Sequence, residues 1–202
     1  MRGWLALALS AALAGCGSSQ PTSVGPQPPI VHKPSLQTPD SALYCVIQGI
    51  ATKTPQLYEF ILPDTLLDGA DFHAVFDPDD VVDFEQAGGQ APAQWLSKDE
   101  KTFISQYTTM VPVQTYDVVF TPDQSRPDVP GPNETIFHRH YQVSFGSLPP
   151  QLIGYGLADM TFRRLGANQE WKMVRWVDHR DPAVPSARTV GRQRLGPPSV
   201  NP

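Results

Sequence analysis

A chain of 202 residues, 40% hydrophobic and with a net charge of −5, is long enough for one ordinary domain with its own core. The small negative charge excludes the basic footprint of a nucleic-acid-binding protein, so no nucleic-acid partner is expected. Proline is the outlier at 22 residues, concentrated in 20–39 and 181–202, and both stretches read as non-globular.

Arg2 supplies a short positive region, and Trp4 to Leu13 an apolar run too short to span a bilayer core of roughly 30 Å as a helix. Leu13-Ala14-Gly15-Cys16 follows, and it resembles the bacterial lipobox, in which small residues precede a cysteine that is diacylated and becomes the mature N-terminus. The resemblance implies a signal peptide over 1–15, lipidation at Cys16, and a Pro-rich tether over 16–37 that holds a domain off the membrane of the cell envelope. Each buried acyl CH₂ contributes about 0.8 kcal/mol to such an anchor. Gly17, where an Asp would favour inner-membrane retention in that pattern, points to the outer membrane facing the periplasm. With Cys16 so used, Cys45 has no internal disulfide partner. Beside an apolar stripe and with no His near it in sequence, it reads as a small, half-buried hydrophobe.

Thr38-Pro39-Asp40 has the form of a helix start, and Leu43, Val46, Ile47 and Ile50 follow at helical spacing. Thr54-Pro55 opens a second helix with Leu57, Tyr58, Ile61 and Leu62, stopped by Pro63. Asp71 to Phe76 alternates as a strand, with His73 opposite Phe72, Ala74 and Phe76. The stretch 77–93, crowded with Asp77, Asp79, Asp80 and Asp83, reads as a solvated acidic loop, because the spacing of a calcium-binding loop is absent. Ser97-Lys98-Asp99-Glu100 has the pattern of a capping box, Ser97 as N-cap and Glu100 reaching back, for a third helix ending near Tyr107.

Four longer strands follow. Val111 to Phe120 is read as one, and a Pro-rich loop runs to Asn133. Glu134 to Phe145 is the second, with Phe137, Tyr141 and Val143 on one face and His138, His140 and Gln142 on the other. Gly154 to Leu165 and Gln169 to Arg180 form a hairpin through Gly166-Ala167-Asn168. Helices first and an antiparallel meander last make the fold class α+β, a curved antiparallel sheet packed against about three N-terminal helices. The domain is expected over 38–181, followed by a Pro/Arg-rich tail over 182–202. Both parities of the last strand carry large apolar groups: Trp171, Met173 and Val177 on one, Val174 and Trp176 on the other. Such a sheet needs cover on both faces, from a second copy of the chain or from the tail.

His138-x-His140 is the one metal-like pair, since side chains two apart on a strand project the same way; no third ligand is identifiable, and two histidines on a polar sheet face is the plainer reading.

The order of elements resembles the nuclear-transport-factor-2-like superfamily, the cone-shaped α+β fold shared with ketosteroid-isomerase-like enzymes. The residues carrying the likeness are Pro39 to Leu43, the second helix to Leu62, Asp71 to Pro78, Trp95 before the Ser97 helix, and Glu170 to Asp178. The resemblance implies a cone between sheet and helices and is nearly silent on chemistry. Catalytic members place a base in the cone opposite acid or Tyr donors. The candidates here are Tyr58, His73 and Asp159, with Asp117 and Tyr141 behind them, and Asp159 reads as facing Arg175 across the hairpin. No pair has both roles set by its context. The expectation is therefore a non-catalytic binding or interaction domain that needs no cofactor, with a small hydrophobic ligand or a second copy as partner. An isomerase, dehydratase or cyclase in the cone is the alternative.

Overall fold

The computed structural model describes residues 31–113, 115–146 and 151–196. The expected signal peptide, Cys16 and most of the tether lie outside them. Among the described residues no helix is long and apolar enough to cross a membrane.

Five strands form one open sheet in the order β1-β5-β4-β3-β2. They are β1 (His73–Val75), β2 (Asp117–Pro122), β3 (Glu134–Phe145), β4 (Gln151–Leu165) and β5 (Glu170–His179). β2 to β5 are an antiparallel meander, and the short β1 adds to β5 in parallel. The helices are α1 (Pro39–Ala51), α2 (Pro55–Glu59), α3 (Thr65–Asp68), α4 (Pro78–Gln86), α5 (Ser97–Thr109) and α6 (Val190–Leu195). This is the expected α+β class, a curved, unclosed sheet with the early helices on one face. The core lies between them: Val46, Ile50, Ile61, Phe72, Ile104, Phe162 and Trp176 are all at or below 2% exposure.

The start of α1 is as the sequence reads. Thr38 accepts from the Ser41 amide, and Ser41 Oγ accepts from the Thr38 amide, so two otherwise unbonded donors are satisfied reciprocally. The hairpin is also as expected: Gly166 and Gln169 take positive φ at the turn.

Five local expectations are corrected. The acidic stretch is a helix at its start: Asp77 caps α4 by accepting from the Asp79 amide, Pro78 opens it, and Asp79 and Asp80 sit in the first turn. The strand expected from Val111 begins only at Asp117, because Lys53 Nζ donates to the Val111 and Val113 carbonyls and the Tyr116 amide donates to Ala51 O. That segment is therefore tied to the end of α1 instead of the sheet. The third helix starts one residue early, with Leu96 as N-cap and Asp99 at N3 accepting from the Leu96 amide. Ser97 Oγ instead donates to Pro63 O and accepts from the Phe72 amide.

The fourth correction concerns β5. The register shifts between Thr161 and Phe162, where Thr161 pairs with Arg175 but Phe162 with Met173. The extra residue, Val174, forms a bulge and flips the parity of the strand. Trp171, Met173 and Trp176, though of mixed parity, are all buried at 3% exposure or less. The bulge brings residues of both parities onto one buried face of the strand.

The fifth concerns both boundaries of the domain. Leu36, in the expected tether, is fully buried and its carbonyl accepts from the Trp171 amide. The expected tail returns as α6, capped by Thr189, with Val190, Gln193, Arg194 and Leu195 all buried. Two glycines of β4 make room for this return. A Cβ at Gly154 would stand 2.9 Å from Val190 Cγ2, and one at Gly156 3.3 Å from Thr189 Cγ2.

Candidate functional site

The fold brings its early helices, its sheet and its last helix together around one buried arginine. Arg194 reaches inward from α6, and its side chain is fully buried. Its Nη2 and Nε donate to Glu100 Oε1 and Oε2 at 2.7 and 2.8 Å. Its Nη1 donates to Asp178 Oδ2 at 2.8 Å. The planar guanidinium suits this two-point pairing, and its face lies 4.7 Å from the Trp176 ring centroid.

The one-residue shift in the start of α5 is what places Glu100. It turns inward instead of capping its own helix, and is fully buried. Tyr58 Oη donates to Glu100 Oε1 at 2.6 Å, and Trp95 Nε1 donates to Oε2 at 2.8 Å. Asp178 takes a donor from Tyr141 Oη at 2.6 Å, and that hydroxyl accepts in turn from the Val190 amide. Two carboxylates thus share one guanidinium. Burial pushes the Asp178 carboxyl up to about 6, with Arg194 and Tyr141 holding it back. Burial and then the neighbouring carboxylates raise the Tyr58 and Tyr141 hydroxyls.

Of the three candidate catalytic residues, only Tyr58 belongs to this interior. His73 is exposed on β1, beside a groove that also holds Arg163 and Arg175. Asp159 is on the outer face of β4, in register with His138 on one side and Val177 on the other, and not with Arg175 as expected. It accepts from Arg126 at 2.8 Å and meets His138 Nδ1 at 2.8 Å and His179 Nε2 at 3.1 Å. Against the cost of partial burial, these partners lower its pKa. Asp117 is exposed on β2, and Tyr141 is engaged by Asp178 as described.

His138 and His140 do share the outer face, but their rings diverge. His138 turns to Asp159, and His140 lies 3.6 Å from Asp181 and 3.8 Å from Asp123. Among the described residues no group of three or more His, Cys, Asp or Glu is arranged to hold a metal ion. The acids of the α4 stretch, read as solvated, gather around a basic partner: Asp80 and Asp83 bind Arg180, Asp77 accepts from its amide, and Asp80 also takes the Thr189 hydroxyl. Cys45 is 2% exposed and burial raises its thiol pKa, as befits a core hydrophobe.

Sequence reasoning missed Glu100, Asp178 and Arg194. The residues themselves gave little signal: Glu100 sits among Ser97, Lys98, Asp99 and Lys101 as a helix-start acid would, Asp178 follows the run Trp171 to Val177, and nothing local joins either to Arg194.

Beside the arginine, α5 and α6 enclose a groove of about 520 Å³, floored by Trp95, Phe103, Tyr107, Met110 and Gln193 and edged by Gln106. The rings run in sequence, Trp95 to Phe103 at 6.2 Å and Phe103 to Tyr107 at 5.1 Å between centroids. The structure therefore presents a buried ionic interior with an apolar groove beside it.

No protein-family model matches the chain, and no curated protein does. Solved structures do. A protein of unknown function from Mycobacterium tuberculosis aligns over 78% of this chain and 93% of its own, at 10% identity and a TM-score of 0.50. A candidate dehydratase of the NTF2-like family from Streptomyces avermitilis covers 71% and 99% at 9% identity, TM-score 0.48. An NTF2-like protein of unknown function from Pseudomonas putida covers 74% and 90% at 12% identity, TM-score 0.48. The mycobacterial likeness is one of fold alone. The chain is an α+β domain whose open, curved sheet is consistent with a nuclear-transport-factor-2-like cone.

Proposed function

We propose that this protein is a lipid-anchored lipoprotein of the bacterial envelope, held through Cys16 with its domain in the periplasm, and that the domain binds a partner instead of catalysing a reaction. The observation that carries the non-catalytic reading is the position of Arg194. An isomerase or dehydratase needs a carboxylate or imidazole free to take a proton from a bound substrate, with donors waiting for the charge that develops. In this interior both carboxylates are already spent on other groups: Glu100 on Arg194, Tyr58 and Trp95, and Asp178 on Arg194 and Tyr141. The anchored reading is supported by the sequence pattern ending in Cys16.

The test is expression of the full chain in a bacterial host fed labelled palmitate, followed by membrane fractionation. The chain should carry label and sediment with membranes, and Cys16→Ser should lose both properties. An unlabelled chain, or a Cys16→Ser chain that stays with the membrane, overturns the anchor.

A further inference from the structure

Resting on the reading of the domain as a binding module, we infer that the groove between α5 and α6 is its ligand site, and that it takes a small, flat, apolar molecule carrying one hydrogen-bond donor, such as a phenol or an arylamine.

The floor supplies the apolar half of this specificity. Trp95, Phe103 and Tyr107 present a continuous row of rings, and Met110 adds a polarisable side chain at its end. Gln193 supplies the polar half. It is 5% exposed and lines the groove, and its Oε1 is buried with no hydrogen-bond partner among the described residues. A buried acceptor left open is unusual in a native fold, where nearly all are matched. The other polar atoms of the floor are engaged: Trp95 Nε1 with Glu100, the Tyr107 hydroxyl with the Ile153 carbonyl, and the Arg194 guanidinium with its two carboxylates. A ligand entering the groove thus finds aromatic surface and, among the buried polar atoms of its lining, one unanswered acceptor, reached by turning the Gln193 amide toward it, while Asp99, Thr102 and Gln106 lie on its more exposed side. The volume of about 520 Å³ lies within the range of small-molecule sites.

The experiment titrates N-phenyl-1-naphthylamine, which has linked aromatic rings and one N–H, into the full chain in detergent and subtracts matched micelles alone. Its N-methyl analogue, which lacks the donor, is the paired probe. The expected result is saturable one-site binding, with the N-methyl analogue about tenfold weaker. Gln193→Leu should bind both probes alike, at the weaker level. Gln106→Trp, which fills the groove from an exposed position on α5, should abolish binding of both with an unchanged thermal unfolding midpoint. Absence of saturable binding, equal affinity of the wild type for both probes, or undiminished binding by Gln106→Trp would overturn the proposal. Failure of the palmitate experiment would remove the anchor and leave these results standing; failure here removes the ligand class and leaves the anchor.

Discussion

Arg194 and Glu100 meet through two parallel hydrogen bonds of 2.7 and 2.8 Å, both side chains fully buried and 94 residues apart in sequence. With Asp178 on the third nitrogen, this pairing pins the last helix to the third long one and to the final strand.

Breaking it from one side leaves two buried carboxylates without a cation. Arg194→Met is expected to lower stability by about 3–5 kcal/mol. Adding Glu100→Gln and Asp178→Asn should recover much of that, because the uncompensated charge is gone while the volume is kept. Urea unfolding of the variants measures both. A loss below about 1 kcal/mol for Arg194→Met would mean that the interior tolerates the bare acids.

The raised Asp178 carboxyl gives a pH dependence with a definite sign. Its pKa is about 6 in the fold against 3.8 for an ordinary aspartate, so between those values the folded chain binds the proton that the unfolded chain releases. This contribution is fully present below about pH 4 and is lost as pH rises through 6, by roughly 3 kcal/mol. The stability of the wild type relative to Asp178→Asn should therefore fall by that order between pH 4 and 7. Unfolding series at matched pH values for the two proteins give the difference directly, and a flat one contradicts the assignment.

Asp159 behaves oppositely. Its partners hold its pKa below the ordinary value, so its stabilising contribution is present at neutral pH and disappears as the solution is acidified through the folded pKa. Asp159→Asn should cost about 1 kcal/mol at pH 7, a modest figure because the site is partly open to solvent. It should cost almost nothing at pH 2. Equal losses at both would show that the carboxylate charge is not what matters.

Gly156 has a steric role. A Cβ there would lie 2.7 Å from the His179 carbonyl of the adjoining strand and 3.1 Å from the Tyr141 hydroxyl. Backbone cannot yield as a flexible side chain does, so Gly156→Ala should destabilise by about 1–3 kcal/mol. It should also loosen α6, which packs over the same glycine. Hydrogen exchange of the Val190 amide, bound to Tyr141 Oη, reports on that helix.

Cys45 should resist thiol reagents in the native protein and react at the rate of unfolding, because the thiol is buried and its pKa is raised. Comparing its modification rate with and without denaturant tests this.

The local pieces were legible in the residues themselves: the Thr38-Pro39-Asp40 start of α1, the alternating faces of Glu134–Phe145, the hairpin through Gly166, and so the α+β class. Each depends on neighbours a few residues apart, where periodicity and turn chemistry act directly. The parity of β5 was not legible there, since a bulge is set by the partner strand. Tertiary contacts also turn Glu100 inward and bring the proline-rich tail back as α6. Both follow from a buried carboxylate needing a cation. The one that answers, Arg194, lies 94 residues further on in a stretch whose composition alone says solvent.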